Sequence, residues 1–153
     1  LVGSEMCIRD RPKADEMFNS KEKMREHIVV SLGGRAAEEM IFKDVTTGAS
    51  QDIKQATQMA RAMVTQYGMS DKVGMIHYGS DDDEVFIGRD LAHTRNYAEQ
   101  TAALIDAEVK HLIDEAYAEA KSLISQHEEV LHKCADLLLE KEKIGQEEFE
   151  ALF

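Results

Sequence analysis

Apolar residues recur every three or four positions in four stretches of this chain, the period of one buried face of an α-helix. The first stretch follows Asn19, which with Glu22 resembles a capping box, so we expect the helix to begin there. Gly33 and Gly34 fall inside this helix, where each costs about 1 kcal/mol relative to alanine. We therefore expect another backbone to approach closely at the glycine pair. The apolar face consists of Met24, Ile28, Leu32, Ala36, Met40 and Ile41.

A second amphipathic helix is predicted after Ser50, whose hydroxyl makes it a good N-cap. Asp52 then lies in the first turn, where exposed N–H groups and the helix dipole favour an ionised acid. Gly68 is expected to end the helix in the left-handed conformation. Such a carboxylate at a helix tip suits a metal ligand, and it equally suits plain helix capping. The apolar positions of this helix are Ile53, Ala56, Ala60, Met63, Val64 and Tyr67.

The helical period is lost between residues 69 and 90. Residues 73–78 and 85–87 are short apolar runs that predict two arms of a small β-hairpin. The acids of residues 81–84 lie between them. A cluster of four acids could indicate a calcium site. The EF-hand type of calcium site needs alternating ligands, a central glycine and a distal glutamate, and this block lacks that spacing. We interpret residues 81–84 as a solvated loop.

The rest of the chain is predicted to form one long amphipathic helix and then a shorter one. Gly145 breaks the pattern before the apolar end of the chain. His111 and five acids on the long helix are read as an exposed face; the acids are Asp106, Glu108, Asp114, Glu115 and Glu119. The predicted fold class is mainly α, in one domain, with a short irregular or β-hairpin segment in the middle. The apolar stripes comprise Tyr97, Thr101, Ile105, Val109, Leu112, Ala116, Leu123 and Ile124, then Val130, Leu131, Cys134, Leu137 and Leu138.

Composition narrows the classes of function. The chain has 153 residues, 43% of them hydrophobic, which is typical of a globular domain. Its net charge of −12 disfavours binding to nucleic acid or to anionic lipid. No apolar run approaches the roughly 20 residues needed to span a bilayer, so we expect this part to be soluble and to make no direct membrane contact. Cys134 falls on an apolar stripe and is expected to be a buried, reduced cysteine, whereas Cys7 carries no further information.

Four other residues are candidates for a site. Glu38 and Glu39 precede the loop that leads to Asp52, so either could orient a metal ligand, and either could be a solvent-facing or paired glutamate. Arg35 could anchor a carboxylate or form a surface pair. His93 has no acid positioned by sequence to make it a base, and we interpret it as a structural histidine.

Three ordered motifs resemble the peptidase domain of FtsH proteins, which are membrane-anchored, ATP-dependent zinc metalloproteases of the AAA+ class. These are LGGRAAEE at residues 32–39, TGASQDI at 47–53 and ARAMVTQYGMS at 60–70. The resemblance covers residues 12–153 and implies that they are the C-terminal part of that domain. It also implies that Asp52 is the third protein ligand of a catalytic zinc.

The resemblance implies a catalytic centre that this chain does not complete. The family takes two zinc-binding histidines and its general base from a His-Glu-x-x-His helix, since residues i and i+4 share a helix face. No such motif occurs in the sequence, so no catalytic residue is assigned and the Zn²⁺ site is incomplete. ATP would bind to an ATPase module outside this chain. The six histidines are His27, His77, His93, His111, His127 and His132.

The remaining implications concern the parent protein. Its partners would be unfolded or misassembled protein substrates and five further copies in a hexamer, at the cell membrane with this domain on the cytoplasmic side. Residues 1–11 do not resemble the sequence expected just before this part of the family, and we interpret them as a non-native leader, with a divergent natural N-terminus as the alternative. We expect the fragment alone to be inactive. The alternative function is a non-catalytic helical module for interaction or oligomerisation.

Overall fold

A computed structural model describes residues 19–78 and 98–153, and these residues are mainly helical, as the sequence predicts. No strand occurs in these two ranges. A 3-10 turn, Thr47–Ala49, directly precedes the second helix. The α-helices are α1 (Lys21–Phe42), α2 (Ser50–Thr65), α3 (Glu99–Gln126), α4 (Glu128–Lys141) and α5 (Gln146–Glu150).

The core lies between α1, α2 and α3, which all pack against one another. Its largest fully buried side chains are Ile28, Met63, Val64 and Ile105. Alanines with no exposed surface lie on each of the three helices, and small side chains allow helices to pack closely. These alanines are Ala36, Ala60 and Ala116.

The predicted start of α1 is wrong by one residue. Ser20, not Asn19, is the N-cap, and its hydroxyl accepts a hydrogen bond from the backbone N–H of Lys23 at 3.2 Å. Glu22 is therefore the second helical residue, one position too early to close a capping box. The helix ends at Phe42, and its C-cap, Lys43, adopts a left-handed conformation with φ of 54°.

The described residues bring no backbone close to the glycine pair of α1. A Cβ atom added to Gly33 or to Gly34 would meet no other atom within 4 Å. The close approach expected there is absent from the described part of the chain. Within these ranges the two glycines cost helix stability without the packing that would offset it.

The segment that follows α2 turns back on that helix, and the strand predicted for residues 73–78 is absent. Gly68 is left-handed as predicted, with φ of 60°. The N–H of Met69 donates to the carbonyl of Met63 at 2.9 Å, and the N–H of Tyr78 donates to the carbonyl of Thr65 at 2.7 Å. The N–H of Tyr78 is thus bonded to the end of α2, and the described residues offer this segment no strand to pair with.

Two apolar residues assigned to the α2 core are exposed. Ile53 is 39% exposed, and burial on its face begins at Ala56. Tyr67 is 57% exposed because the helix has already ended at Thr65, so the helical period no longer sets its direction.

Glu108 is buried, contrary to the expectation that the acids of α3 form an exposed face. Its side chain accepts hydrogen bonds from the Ser70 hydroxyl at 2.8 Å and from the Lys72 ammonium at 2.7 Å. The Lys72 and Ser70 hydrogen bonds together hold the pKa of Glu108 below its usual value. The expectation fails because the segment after α2, distant in sequence, covers this part of the helix.

The last two helices are less covered than the first three. No residue of α4 or α5 is buried, and Cys134 is only half-buried, which corrects the prediction of a core cysteine. The ring of Phe153 makes edge contacts with His127 and Phe149, at centroid distances of 5.2 and 5.5 Å. As predicted, Gly145 separates the two helices.

Several predictions fall outside the described residues: Tyr97, His93, the second hairpin arm at 85–87, the acidic block at 81–84 and the leader at 1–11. Among the residues that are described, no helix combines the length and apolar character needed to cross a membrane.

Candidate functional site

Asp52 lies in the first turn of α2, as the sequence predicts. Ser50 is not the N-cap, however, since the helix already includes it and Ala49 occupies the cap position. Asp52 is therefore the third helical residue and is partly buried. Its carboxylate belongs to the turn at the positive end of the helix dipole, where the exposed N–H groups attract an acidic side chain.

The turn before Asp52 is organised by Thr46. The hydroxyl of Thr46 accepts a hydrogen bond from the backbone N–H of Gly48 at 3.1 Å and so caps the 3-10 turn. The N–H of Ser50 donates to the carbonyl of Thr47, which joins this turn to the start of α2. The chain therefore enters α2 through a continuous set of local hydrogen bonds.

Glu38 connects this turn to α1. Its carboxylate accepts a 2.8 Å hydrogen bond from the Thr46 hydroxyl and a longer one, 3.4 Å, from the Thr46 N–H. Arg35 donates to the Thr46 carbonyl at 3.1 Å. The guanidinium of Arg35 is also 3.9 Å from the carboxylate of Glu38. Both groups of the Thr46 backbone and its side chain are thus bonded to two residues of α1.

Glu39 contacts a different part of the molecule. Its carboxylate accepts hydrogen bonds from Lys121, at 2.7 Å, and from the hydroxyl of Tyr117, both on α3. These bonds, Lys121 first, lower the pKa of Glu39. Burial and the bond to Glu39 raise the pKa of Tyr117. Adjacent glutamates thus have separate contacts: Glu38 bonds to the loop before Asp52, whereas Glu39 joins α1 to α3.

Sequence reasoning did not single out Thr46. The signal was a threonine two residues before a glycine, a pattern in which the hydroxyl caps a turn. What could not be read from the local pattern is that the same hydroxyl donates to Glu38, eight positions earlier.

The described residues do not complete a zinc site. Within residues 19–78 and 98–153, no group of three His, Cys, Asp or Glu side chains could hold a metal ion. A catalytic zinc takes three protein ligands, so Asp52 supplies at most one of them here. Two described histidines instead lie near acids of their own helices: His111 near Glu115 at 3.7 Å and His132 near Glu128 at 3.9 Å.

Comparison with known proteins places the sequence of this chain in a family. Residues 6–152 match Peptidase family M41. The chain is 53% identical over 141 residues to an ATP-dependent zinc metalloprotease FtsH of Caldicellulosiruptor bescii, covering 92% of this chain and 23% of that relative. It is 51% identical over 143 residues to the protein of the same name from Ruminiclostridium cellulolyticum, covering 94% and 23%.

A third relative shows the same relation. ATP-dependent zinc metalloprotease FtsH 1 of a Thermoanaerobacter species is 49% identical over 142 residues, with 93% of this chain and 23% of the relative covered. The chain thus spans about a quarter of the length of these relatives. The family match extends over nearly all of its residues, and the chain belongs to Peptidase family M41.

Proposed function

We propose that this chain is part of an ATP-dependent zinc metalloendopeptidase and that Asp52 is one protein ligand of its zinc. Membership of Peptidase family M41 and the names of three relatives support the activity. The observation that carries the assignment of Asp52 is its position: a partly buried carboxylate in the first turn of α2, behind a turn bonded to α1.

The chain contributes one ligand and a helical scaffold to this activity. We place the two histidine ligands, the general base and the ATP-binding module in the part of the relatives' length that the chain does not cover. By itself the chain is expected to have no peptidase activity and no measurable zinc affinity, because one carboxylate is short of the three ligands of a catalytic zinc.

The proposal extends to partners and location. The substrates are unfolded or misassembled proteins, and the complete enzyme is a hexamer at the cell membrane with this domain on the cytoplasmic side. These features come from the resemblance to FtsH proteins. The acidic composition of the chain favours neither nucleic acid nor anionic lipid as a partner.

A second candidate function is a non-catalytic interaction module. It is favoured by apolar side chains on the two helices that have no buried residues: Leu139 is 85% exposed, and Phe149 is 42% exposed. In this reading Asp52 is a helix-terminal acid with no metal to bind, and its carboxylate could be removed without effect on proteolysis.

A chimera tests the two functions. The chain would replace the aligned 141 residues of the Caldicellulosiruptor bescii relative, with which it is 53% identical. Zinc content, casein degradation and assembly state would be measured for this protein and for Asp52→Asn, with Asp136→Asn as the control. Asp136 is an exposed acid of α4.

The zinc-ligand assignment predicts that Asp52→Asn loses zinc and casein degradation while keeping the assembly state of the parent chimera. Asp136→Asn should retain all three properties. Unchanged zinc content and proteolysis in Asp52→Asn would refute the assignment. The melting temperature of Asp52→Asn in the 153-residue chain distinguishes loss of a ligand from loss of an acid in the first helical turn, because only the interaction of that acid with the helix dipole contributes to folding without metal.

A further inference from the structure

We propose that Glu38 is a positioning residue for Asp52 and that it acts through the hydroxyl of Thr46. Its relevance to metal binding rests on the proposed function, whereas the positioning itself can be measured without metal. The proposal assigns different roles to two adjacent glutamates of α1, Glu38 and Glu39.

The hydrogen bonds form one connected path. The Thr46 hydroxyl donates to Glu38 at 2.8 Å and accepts from the Gly48 N–H at 3.1 Å. A hydroxyl has one proton to donate, and the Thr46 hydroxyl donates its hydrogen bond to Glu38. The lone pairs of the hydroxyl oxygen are therefore free to accept from the Gly48 N–H. The carboxylate therefore sets both the position and the orientation of the group that caps the turn before Asp52.

Arg35 also bonds to Thr46, through the backbone carbonyl of the threonine. It donates to the Thr46 carbonyl at 3.1 Å, while Glu38 accepts from the Thr46 N–H at 3.4 Å. The side chains of Arg35 and Glu38 are 25% and 27% exposed, whereas Thr46 is exposed. Thr46 is fixed to α1 at three atoms, and α1 is anchored in the core by Leu32 and Ala36.

Gly48 leaves the space that this arrangement needs. A Cβ atom at Gly48 would lie 3.2 Å from the Thr46 hydroxyl oxygen and 3.8 Å from a carboxylate oxygen of Glu38. The first distance is shorter than ordinary van der Waals contact. A side chain there would clash with the capping hydroxyl, so the glycine permits Glu38, Thr46 and the turn to pack closely.

The position of Thr46 determines where α2 begins, and therefore where Asp52 lies. The N–H of Ser50 is bonded to Thr47, and Asp52 follows within the first turn of α2. A helical turn has little backbone freedom, so fixing its first residues fixes the direction of the Cα–Cβ bond of Asp52 and limits the rotamers of its side chain. Tolerances of about 0.5 Å are typical for functional constellations held by supporting hydrogen bonds.

The first test uses the 153-residue chain without metal. Glu38→Ala should speed hydrogen exchange of the Gly48 amide about tenfold and average the side-chain rotamers of Asp52, both measured by NMR. Glu38→Gln keeps an oxygen that can accept from Thr46 and should largely restore both readouts. Thr46→Val removes the linking hydroxyl but leaves Glu38 in place, and it should reproduce the effect of Glu38→Ala.

Glu39→Ala is the matched control. It removes the neighbouring carboxylate and its contacts with α3, so it lowers global stability without touching the turn. The Gly48 exchange and the Asp52 rotamers should then remain as in the unmodified chain. The proposal is overturned if Glu38→Ala leaves both readouts unchanged, or if Glu39→Ala changes them equally. Thr46→Val removes the acceptor of the Gly48 N–H directly, so it tests only the link through the hydroxyl. If Glu38→Ala does not fold, Glu38→Asp takes its place, because it keeps the charge and shortens the side chain, and unchanged readouts in that variant would overturn the proposal.

The second test measures zinc in the chimera described above. Removing a residue that orients a metal ligand typically costs about 10- to 100-fold in metal affinity, and this loss is expected for Glu38→Ala but not for Glu39→Ala. A zinc affinity unchanged in Glu38→Ala but lost in Asp52→Asn would overturn positioning while leaving the ligand assignment intact. Zinc unchanged in Asp52→Asn would overturn the proposed function, and the metal-free readouts would still decide the role of Glu38.

Discussion

The hydroxyl of Ser70 donates a 2.8 Å hydrogen bond to the carboxylate of Glu108, which lies 38 residues later in the chain. Glu108 is only 8% exposed, and its second partner is the ammonium of Lys72 at 2.7 Å. The Ser70 oxygen also accepts from the N–H of Val73. One buried carboxylate therefore attaches the segment after α2 to α3.

Removing this carboxylate should destabilise the fold. We expect Glu108→Ala to lower the free energy of unfolding by about 1–3 kcal/mol, because it leaves the buried Ser70 hydroxyl without its acceptor. The measurement is chemical denaturation followed by circular dichroism. Glu115→Ala, at an exposed position of the same helix, should change stability by less than about 0.5 kcal/mol. Equal effects of the two substitutions would contradict this role of Glu108.

Stability should also depend on pH through Glu108. Its pKa is lower in the folded chain than the ordinary value of 4.5, chiefly because of the bond from Lys72. Such a group stabilises the fold above the unfolded pKa, and its contribution is lost as the pH falls through the folded pKa. The melting temperature of the unmodified chain should therefore fall more steeply below about pH 4.5 than that of Glu108→Gln. Glu39 titrates in both proteins, so some acid sensitivity remains; parallel curves would argue against the prediction.

Close packing at Ala116 can be tested with a matched pair of substitutions. Ala116 has no exposed surface and belongs to the core cluster of the three packed helices, whereas Ala118 on the same helix is exposed. Ala116→Leu should cost about 1–3 kcal/mol of unfolding free energy, because a larger side chain forces the helices apart. Ala118→Leu should be nearly neutral in the same thermal or chemical denaturation. Comparable losses in both variants would show that helix propensity, not packing, is responsible.

Two glycines should respond to alanine in opposite directions. Gly68 has φ of 60°, and a Cβ atom there would lie 3.0 Å from the Cα of Met75, so Gly68→Ala should destabilise the chain by about 1–2 kcal/mol. Gly34 lies in a helix, and no other atom of residues 19–78 and 98–153 comes within 4 Å of an added Cβ, so Gly34→Ala should stabilise the chain by about 0.5–1 kcal/mol. Differential scanning calorimetry measures both. Destabilisation by Gly34→Ala would indicate a close neighbour at this face.

Helix positions were the most predictable part of the fold. The apolar period located α1, α2, α3 and α4, because the face of a helix depends on residues only three or four positions apart. Helix starts were less predictable: Ser20 and Ala49 occupy cap positions that the sequence analysis gave to their neighbours Asn19 and Ser50. Asn19 and Ser20 are adjacent polar residues that offer nearly equivalent caps. Ala49 has no capping side chain, and Thr46 instead caps the 3-10 turn that leads into α2.

The candidate site was predictable only in part. The position of Asp52 in a first helical turn follows from local sequence, and the structure agrees. Its role as a zinc ligand stays a proposal based on family resemblance. The separate contacts of Glu38 and Glu39 were not predictable, since neighbouring residues of a helix point in different directions and their partners come from other elements.

The sequence by itself determined which segments are helical and where one carboxylate enters a helix, because both depend on local spacing and local hydrogen bonding. Only the tertiary structure decided that Glu108 is buried, that residues 73–78 form no strand and that Glu38 bonds to Thr46. Each of these outcomes depends on which groups packing brings within hydrogen-bond distance. A helical period specifies a face, and the surrounding chain determines what that face meets.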